Sequence, residues 1–152
     1  GAQLTVCDNN SELMQRYAKD LQAKIVKPEE IYAVECDVFS PCALGAILND
    51  ESISHLRAAI VAGSANNQLA EPRHAEVLHQ KGILYAPDYV INAGGLIYAY
   101  AEYQNRLNRE HVVQHISTIY STLLEIFKCA HEENKPPSMV ADSLAESRLN
   151  SI

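Results

Sequence analysis

The sequence lacks long apolar runs, a leader-like start and any concentration of positive charge. No apolar run approaches the roughly 20 residues that a membrane-spanning helix needs, and no basic stretch followed by an apolar one suggests a secretory signal. The net charge is −7 and the basic residues form no patch, which argues against a nucleic acid or an anionic membrane as a partner. We therefore expect a cytoplasmic protein that binds neither.

Several motifs of catalysis and metal binding are missing as well. There is no Gly-x-Ser-x-Gly turn for a nucleophilic serine and no Gly-x-x-x-x-Gly-Lys loop for a nucleoside triphosphate. His111 and His115 lack the glutamate of a His-Glu-x-x-His motif, so they fit a surface pair better than a metal site. The cysteines form no Cys-x-x-Cys pair, so we expect reduced thiols, no zinc and no disulfides. These cysteines are Cys7, Cys36, Cys42 and Cys129.

What the sequence does contain fits one compact α/β domain. It has 152 residues, of which 47% are hydrophobic and 20% charged, and this balance supports a substantial core. Four short apolar runs are typical of buried strands, and helical patterns separate them. The runs cover residues 4–7, 33–39, 59–62 and 83–86. Strands that alternate with helices predict a parallel sheet covered on both faces.

The helical patterns have start and stop signals. Asn10 or Ser11 can cap a helix whose apolar residues fall on one face, and Pro72 is suited to the first turn of another. From residue 109 to residue 133 the apolar positions recur at alternating spacings of four and three, which predicts a long amphipathic helix. A proline pair breaks that pattern, and residues 139–149 form a last short helical segment.

Polar loops follow the predicted strands. The carboxyl ends of parallel strands share one edge of the sheet, where such sheets bind ligands, so we expect these loops to lie together. Asp8 ends the first strand; an acid there is common in turns, but it also suits the ribose hydroxyls of a dinucleotide. Asn92, Gly94 and Gly95 lie at the last corner, where the glycines either allow tight packing or let the backbone approach a ligand.

Three of these loops together resemble one enzyme family. They are residues 37–45 (DVFSPCALG), 62–68 (AGSANNQ) and 87–95 (PDYVINAGG). In this order they are similar to the cofactor-binding domain of the leucine dehydrogenases, within the glutamate, leucine, phenylalanine and valine dehydrogenase family. The resemblance implies an α/β fold with a Rossmann-like doubly wound parallel sheet that is partial and starts at its second strand. It divides the single domain, residues 1–152, into a Rossmann-like core over 1–108 and C-terminal helices over 109–152.

The resemblance also implies an activity, NAD-dependent oxidative deamination of an L-amino acid to its 2-oxo acid. The cofactor-binding residues it implies are Asp8 at the adenosine ribose, Ala43 and Leu44 beside the nicotinamide, and Ser64, Ala65 and Asn66 at the nicotinamide ribose. The substrate-binding residues it implies are Asn66 at the amino group, and Leu96 and Ala99 around the side chain. Because a carboxylate buried among aliphatic residues is costly, these two disfavour glutamate. We expect leucine, valine or isoleucine as substrate, a role in branched-chain amino acid catabolism, and a homo-oligomer.

The sequence departs from the family pattern in one respect. In this family the catalytic lysines, their acid partner and the glycine fingerprint precede the position of Asp8, so we expect an upstream catalytic domain and no catalytic residue or activity in these 152 residues alone. One alternative is a non-catalytic nucleotide-binding or regulatory fragment. Another is a phenylalanine or other amino acid dehydrogenase of the same family, because one methylene changes binding by only about 1–3 kcal/mol. Asn66 is similar to the phenylalanine enzymes, since leucine dehydrogenases often have aspartate there.

Overall fold

A computed structural model describes residues 1–105 and 108–150 of the chain. Helices and parallel strands alternate along it. The strands are β1 (Thr5–Val6), β2 (Lys24–Ile25), β3 (Cys36–Phe39), β4 (Ala58–Val61) and β5 (Leu84–Tyr85). The helices are α1 (Ser11–Leu21), α2 (Asp50–His55), α3 (His74–Gln80), α4 (Asp88–Ile91), α5 (Gly94–Tyr103), α6 (Arg109–Glu133) and α7 (Pro137–Leu149), with one 3₁₀ turn at Ile31–Ala33.

The strands form two parallel sheets instead of the single four-stranded sheet that we expected. β1 pairs with β2, and β4 lies between β3 and β5, with Phe39 opposite Val61 and Val61 opposite Tyr85. The prediction missed β2 because both of its residues are exposed and include a lysine, so they form no apolar run. The parallel α/β class is thus correct, whereas the doubly wound Rossmann sheet is present only in part.

The main core lies on the three-stranded sheet. Its most completely buried apolar side chains come from β4, β5 and the segments next to them, and each stabilises the fold by about 1.5–3 kcal/mol. They are Leu48, Ile53, Val61, Leu78 and Tyr85. Tyr32 of the 3₁₀ turn packs against this core: the centroid of its ring lies 5.5 Å from that of Phe39. Partial burial, with a smaller contribution from nearby Cys7, raises the pKa of Tyr32.

Helix α2 begins at a capping box that the sequence analysis did not identify. The side-chain oxygen of Asn49 accepts a hydrogen bond from the Ser52 N–H, and the Ser52 hydroxyl accepts one from the Asn49 N–H, both at 3.0 Å. At the other end of α2 the ammonium of Lys81 donates to the carbonyl of Ile53 at 2.5 Å. Side chains therefore satisfy orphan backbone groups at both ends of this short helix.

The C-terminal helices pack against the segment that follows β5. The bounds of α6 agree with the predicted helix over residues 109–133, and α6 ends at Asn134, which has a left-handed φ of 51°. A second core forms between α6 and α7, from Ile126, Ala130, Val140 and Ala141. Tyr89 of α4 donates a hydrogen bond to Asp142 of α7 at 2.6 Å, so α7 is tied directly to α4.

One predicted packing face is only half covered. Leu13, Tyr17 and Leu21 share a face of α1, and their exposed fractions are 45%, 54% and 57%. Leucine and tyrosine side chains on one helix face are typical of a surface that packs against another element. Among the described residues, no helix is both long enough and apolar enough to cross a membrane.

Candidate functional site

Three loops extend from the carboxyl ends of the three-stranded sheet. They follow β3, β4 and β5 and cover residues 40–46, 62–68 and 86–93. Because the strands are parallel, all three loops lie at the same edge of the sheet, the edge at which open α/β sheets bind ligands. This arrangement was predicted from the sequence, and the contacts between the loops can now be described.

The first two loops are locked together by backbone hydrogen bonds. The Ala65 N–H donates to the carbonyl of Pro41 at 3.0 Å, and the Ala46 N–H donates to the carbonyl of Asn67 at 2.6 Å. Two glycines permit this approach: a Cβ added at Gly63 would overlap the backbone of Pro41, and one at Gly45 would lie 2.7 Å from the carbonyl of Asn66. The backbones of the two loops therefore pack with no room for larger residues at these two positions.

A buried carboxylate joins the third loop to the second. Asp88, the first residue of α4, is 9% exposed. Its Oδ2 accepts the Asn67 N–H at 2.5 Å, and its Oδ1 accepts the hydroxyl of Tyr85 at 2.9 Å. Burial, followed by the hydrogen bond to Asp88, raises the pKa of Tyr85 well above its ordinary value. Asp88 thus accepts one hydrogen bond from the loop after β4 and one from a side chain of β5.

Asn92 reaches the second loop as well. Its side-chain amide nitrogen lies 2.5 Å from the side-chain oxygen of Asn66 and 3.3 Å from the carbonyl of Ser64. Asn66 and Ser64 are both exposed, so these contacts lie at the solvent-facing surface of the site. Asn92 of the third loop therefore binds the side chain of Asn66, the residue that the sequence analysis placed at the amino group of a substrate.

Cys42 lies where the first two loops meet. Its Sγ is 3.4 Å from the hydroxyl of Ser40. Partial burial acts to raise the pKa of the Cys42 thiol, but hydrogen bonds from Ser40 and Ser64 outweigh it and lower that pKa. All four cysteines are free, as predicted. The neighbouring Ala43 and Leu44 are exposed, Leu44 at 71%, on the same loop.

Ala65 is placed differently from the other residues of its loop. Its side chain is 4% exposed, its N–H is donated to Pro41, and its carbonyl accepts the Gln68 amide at 2.9 Å. Gln68 is itself fully buried and also donates to the carbonyl of Gly63. Ala65 and Gln68 thus shape the inside of the loop, whereas Ser64 and Asn66 face outward.

The remaining predicted site residues belong to other elements of the fold. Asp8 follows β1 of the smaller sheet, where its Oδ1 accepts the Asn10 N–H at 2.8 Å in the turn that starts α1. Leu96 and Ala99 are exposed and three residues apart on α5, which places them on one side of that helix. The structure therefore brings Ser64, Asn66 and the Cys42 loop together, with Asp8 on a different sheet.

Gly94 and Gly95 begin α5, and packing within the described residues does not require either of them to be small. A Cβ at Gly95 would meet nothing within 4 Å, and one at Gly94 would make only ordinary contact with Ile116 at 3.9 Å. The sequence analysis explained this glycine pair either by tight packing or by approach of the backbone to a ligand. Within the described residues, the first explanation is wrong. Among the described residues, the space beside Gly95 is therefore open.

Sequence reasoning missed Asp88 and Asn67 as parts of the site. Asp88 sits just after Pro87 at a helix start, where an acid is expected on local grounds alone. Asn67 has a left-handed φ of 51°, a conformation that asparagine tolerates, and the Asn66-Asn67 pair was the available signal for it. The described residues contain no group of three or more histidine, cysteine or acidic side chains arranged to hold a metal ion.

Comparison with known proteins shows that the chain is similar to several amino acid dehydrogenases. The family described as Glutamate/Leucine/Phenylalanine/Valine dehydrogenase matches residues 2–149. Leucine dehydrogenase of Geobacillus stearothermophilus is 47% identical over 152 residues, which are 100% of this chain and 41% of that protein. Phenylalanine dehydrogenase of Lysinibacillus sphaericus is 46% identical over 135 residues, 86% of this chain and 35% of that protein.

A solved structure agrees with these similarities. The crystal structure of L-tryptophan dehydrogenase from Nostoc punctiforme superposes with a TM-score of 0.94 at 45% identity, covering 98% of this chain and 44% of that one. The chain spans about two fifths of the length of the leucine dehydrogenase it matches, 41%. On the family match and these identities, the chain belongs to the glutamate, leucine, phenylalanine and valine dehydrogenase family.

Proposed function

We propose that the chain is the C-terminal, NAD-binding portion of a dehydrogenase that oxidatively deaminates a branched-chain L-amino acid to its 2-oxo acid. The observation that carries this proposal is the convergence of Ser64, Asn66 and Asn92 at the ligand-binding edge of a parallel sheet. In this proposal the chain supplies cofactor and side-chain contacts, and the residues that transfer protons lie in an upstream catalytic domain. The 152 residues alone are then inactive.

The division into two sheets supports a partial dinucleotide-binding domain. A Rossmann sheet has the strand order 3-2-1-4-5-6. If β1 is its second strand, then β2 and β1 occupy positions 3 and 2, while β3, β4 and β5 occupy positions 4, 5 and 6. The first strand, which would lie between β1 and β3, is the one that would join the two sheets. Residues 1–108 then belong to the Rossmann-like core, and residues 109–152 add its C-terminal helices.

The residues at the edge of the sheet fit a nicotinamide cofactor. Ser64 and Asn66 present exposed polar groups, Ala43 and Leu44 present exposed apolar ones, and the start of α5 leaves open space beside Gly95. We assign these four residues to the nicotinamide and its ribose, Ala65 to the shape of their loop, and Asp8 to the adenosine ribose. NAD, when bound, accepts the hydride from the substrate Cα.

Asn66 is suited to holding the substrate amino group. Asn92 uses one lone pair of the Asn66 side-chain oxygen, and that oxygen has a second lone pair that can accept an amine N–H. Leu96 and Ala99 then line the position of the substrate side chain. Aliphatic residues there favour leucine, valine or isoleucine over glutamate, whose carboxylate would be left unpaired.

An aromatic substrate is the second candidate. It is favoured by the similar identity to the phenylalanine enzyme, 46%, and to the tryptophan enzyme structure, 45%, and by the asparagine at position 66. A substitution at Ala99 tests whether this residue lines the pocket for the substrate side chain. Replacing Ala99 by leucine narrows the pocket, so it should lower kcat/KM for phenylalanine and tryptophan by more than for valine.

The decisive experiment is a graft. The segment of Geobacillus stearothermophilus leucine dehydrogenase that matches this chain is replaced by residues 1–152, and NADH formation is followed with leucine, valine, isoleucine, phenylalanine, tryptophan and glutamate. We expect NAD-dependent activity with the branched-chain amino acids, from an assembled homo-oligomer. A folded graft that binds NAD but oxidises none of them would favour the non-catalytic alternative, and a preference for phenylalanine or tryptophan would favour the aromatic one. Asp8→Ala in the graft should weaken NAD binding.

A further inference from the structure

We propose that Asp88 is a positioning residue, because its buried carboxylate, through the backbone N–H of Asn67, fixes the orientation of Asn66 at the site. The inference rests on the proposed function in so far as Asn66 contacts substrate or cofactor. Its structural part, the dependence of the second loop on Asp88, stands without that function. Each part therefore has its own measurement.

The carboxylate is placed to hold a loop that is distant in sequence. Asp88 and Asn67 are 21 positions apart, and the bond from the Asn67 N–H to Oδ2 is 2.5 Å long. A hydrogen bond to an ionised, buried acceptor is roughly twice as strong as a neutral one. The Tyr85 hydroxyl donates to the other carboxylate oxygen, Oδ1, at 2.9 Å, so it does not compete with the Asn67 N–H for Oδ2.

The peptide groups of Asn67 connect all three loops. The N–H of Asn67 is bound by Asp88 of the third loop, while the carbonyl of Asn67 accepts the Ala46 N–H of the first loop at 2.6 Å. Asn67 and Ala46 both have left-handed backbones, with φ of 51° and 57°. Asparagine tolerates that conformation, whereas the Cβ of Ala46 disfavours it, so the surrounding contacts help to hold this pair of backbones in place. Asp88 supplies one of these contacts.

Asp88 and Asn92 act on consecutive residues of the second loop. The Asn92 N–H donates to the carbonyl of Asp88 at 2.9 Å, so the two residues lie one helical turn apart and share a face. Asp88 binds the backbone of Asn67, and Asn92 binds the side chain of Asn66. If the Asn67 peptide moves, the Asn66 side chain moves with it, which makes the geometry of the candidate site depend on Asp88.

Amide hydrogen exchange at Asn67, measured in the graft without NAD or substrate, tests the structural part separately from activity. In Asp88→Ala the Asn67 amide loses its acceptor, and we expect its exchange to accelerate at least tenfold. Asp88→Asn keeps a neutral acceptor and its amide can donate to the Tyr85 oxygen, so it should restore most of the protection, leaving a rise of a few-fold. Tyr85→Phe is the matched control, because it removes the other partner of Asp88 but leaves the Asn67 bond, and Asn67 exchange should stay near wild type.

The outcomes separate the possible roles of Asp88. Unchanged Asn67 exchange in Asp88→Ala, or an equal rise at Asn67 and at core amides such as that of Val61, would overturn the proposal. If Asp88→Ala does not fold, the comparison of Asp88→Asn with Tyr85→Phe decides, since only the first should raise exchange at Asn67. In the active graft we expect Asp88→Ala to lower kcat at least tenfold, with rescue by Asp88→Asn. Changed exchange in a graft without activity would contradict the proposed function and leave the structural role of Asp88 intact.

Discussion

Asn92 donates a hydrogen bond from its side-chain amide to the side-chain oxygen of Asn66 at 2.5 Å, across 26 positions of the sequence. This contact connects the loop after β5 to the loop after β4 at the solvent-facing side of the candidate site. Because an amide has both a donor and an acceptor end, either partner can adapt to a change in the other. Two carboxylates facing each other have only acceptor atoms, so neither can rotate to donate a hydrogen bond to the other.

A double-mutant cycle at this pair is therefore expected to be non-additive. Asn66→Asp keeps the acceptor for Asn92 and should cost little. Asn92→Asp can be met by rotation of the Asn66 amide but loses the donor to the Ser64 carbonyl, so it should cost somewhat more. The double variant places two carboxylates together, and because the pair faces solvent we expect an unfavourable coupling of about 0.5–1 kcal/mol near neutral pH. Denaturant unfolding of the four proteins measures it. The coupling should shrink in acid, where one carboxylate takes up a proton; additive values would show that the contact is not formed in solution.

Glycine substitutions should separate the packed turns from the open one. Gly63→Ala places a Cβ into the backbone of Pro41, and we expect a loss of about 2 kcal/mol or more of unfolding free energy. Gly95→Ala is the matched change in a helix where the added Cβ meets nothing, so it should stabilise the protein by about 0.5–1 kcal/mol. Equal effects of the two changes on the thermal midpoint would contradict the packing described for the first two loops.

Alkaline conditions should destabilise the protein through Tyr85. Burial and the bond to Asp88 raise its pKa in the folded state, whereas an unfolded tyrosine ionises at about pH 10. The stabilisation of the folded state by protonated Tyr85 is thus complete below about pH 10. It is lost as the pH rises further, because the unfolded chain then binds fewer protons than the folded one. Unfolding free energies at about pH 9 and about pH 11 should differ less in Tyr85→Phe than in wild type. Tyr103→Phe, at a side chain 82% exposed, should leave the difference unchanged.

Lys81 should contribute to stability through the C-terminal end of α2. Its ammonium donates to the carbonyls of Ile53 at 2.5 Å and Ser54 at 3.3 Å, where the helix dipole favours a positive charge. We expect Lys81→Met to lower the unfolding free energy by about 1 kcal/mol. Lys128→Met is the control: this side chain is 77% exposed and lies 3.9 Å from Glu132, so its loss should cost less than about 0.5 kcal/mol. Similar losses in both variants would argue against the helix cap.

The parts of the fold that were predictable depend on local patterns. The long helix α6 follows from the regular spacing of apolar residues, and β3, β4 and β5 follow from apolar runs. Strand β2 and helix α2 carry no such pattern: β2 is two exposed residues, and α2 depends on the pairing of Asn49 with Ser52. Short elements gain their stability from contacts that a sequence pattern does not display.

The candidate site was predictable only to the level of its loops. Parallel strands place the loops at one edge, but which side chains meet there depends on tertiary contacts over 21 to 28 positions, such as Asp88 with Asn67 and Asn92 with Ser64. The sequence analysis assigned Ser64 and Asn66 to one loop, and the structure shows that both are exposed there. The internal position of Ala65, whose polar backbone groups are both occupied, could not be inferred from its sequence neighbours.

The room for a methyl group at Gly94 and at Gly95 has a consequence for how these positions change over time. The fold tolerates a methyl group at both, so stability alone provides no selection to keep them as glycine. Any such selection must come from what occupies the space next to them. A descendant of this chain that no longer binds anything there would be free to accumulate larger residues at both positions while folding normally, and the glycine pair would then be an early marker of lost binding.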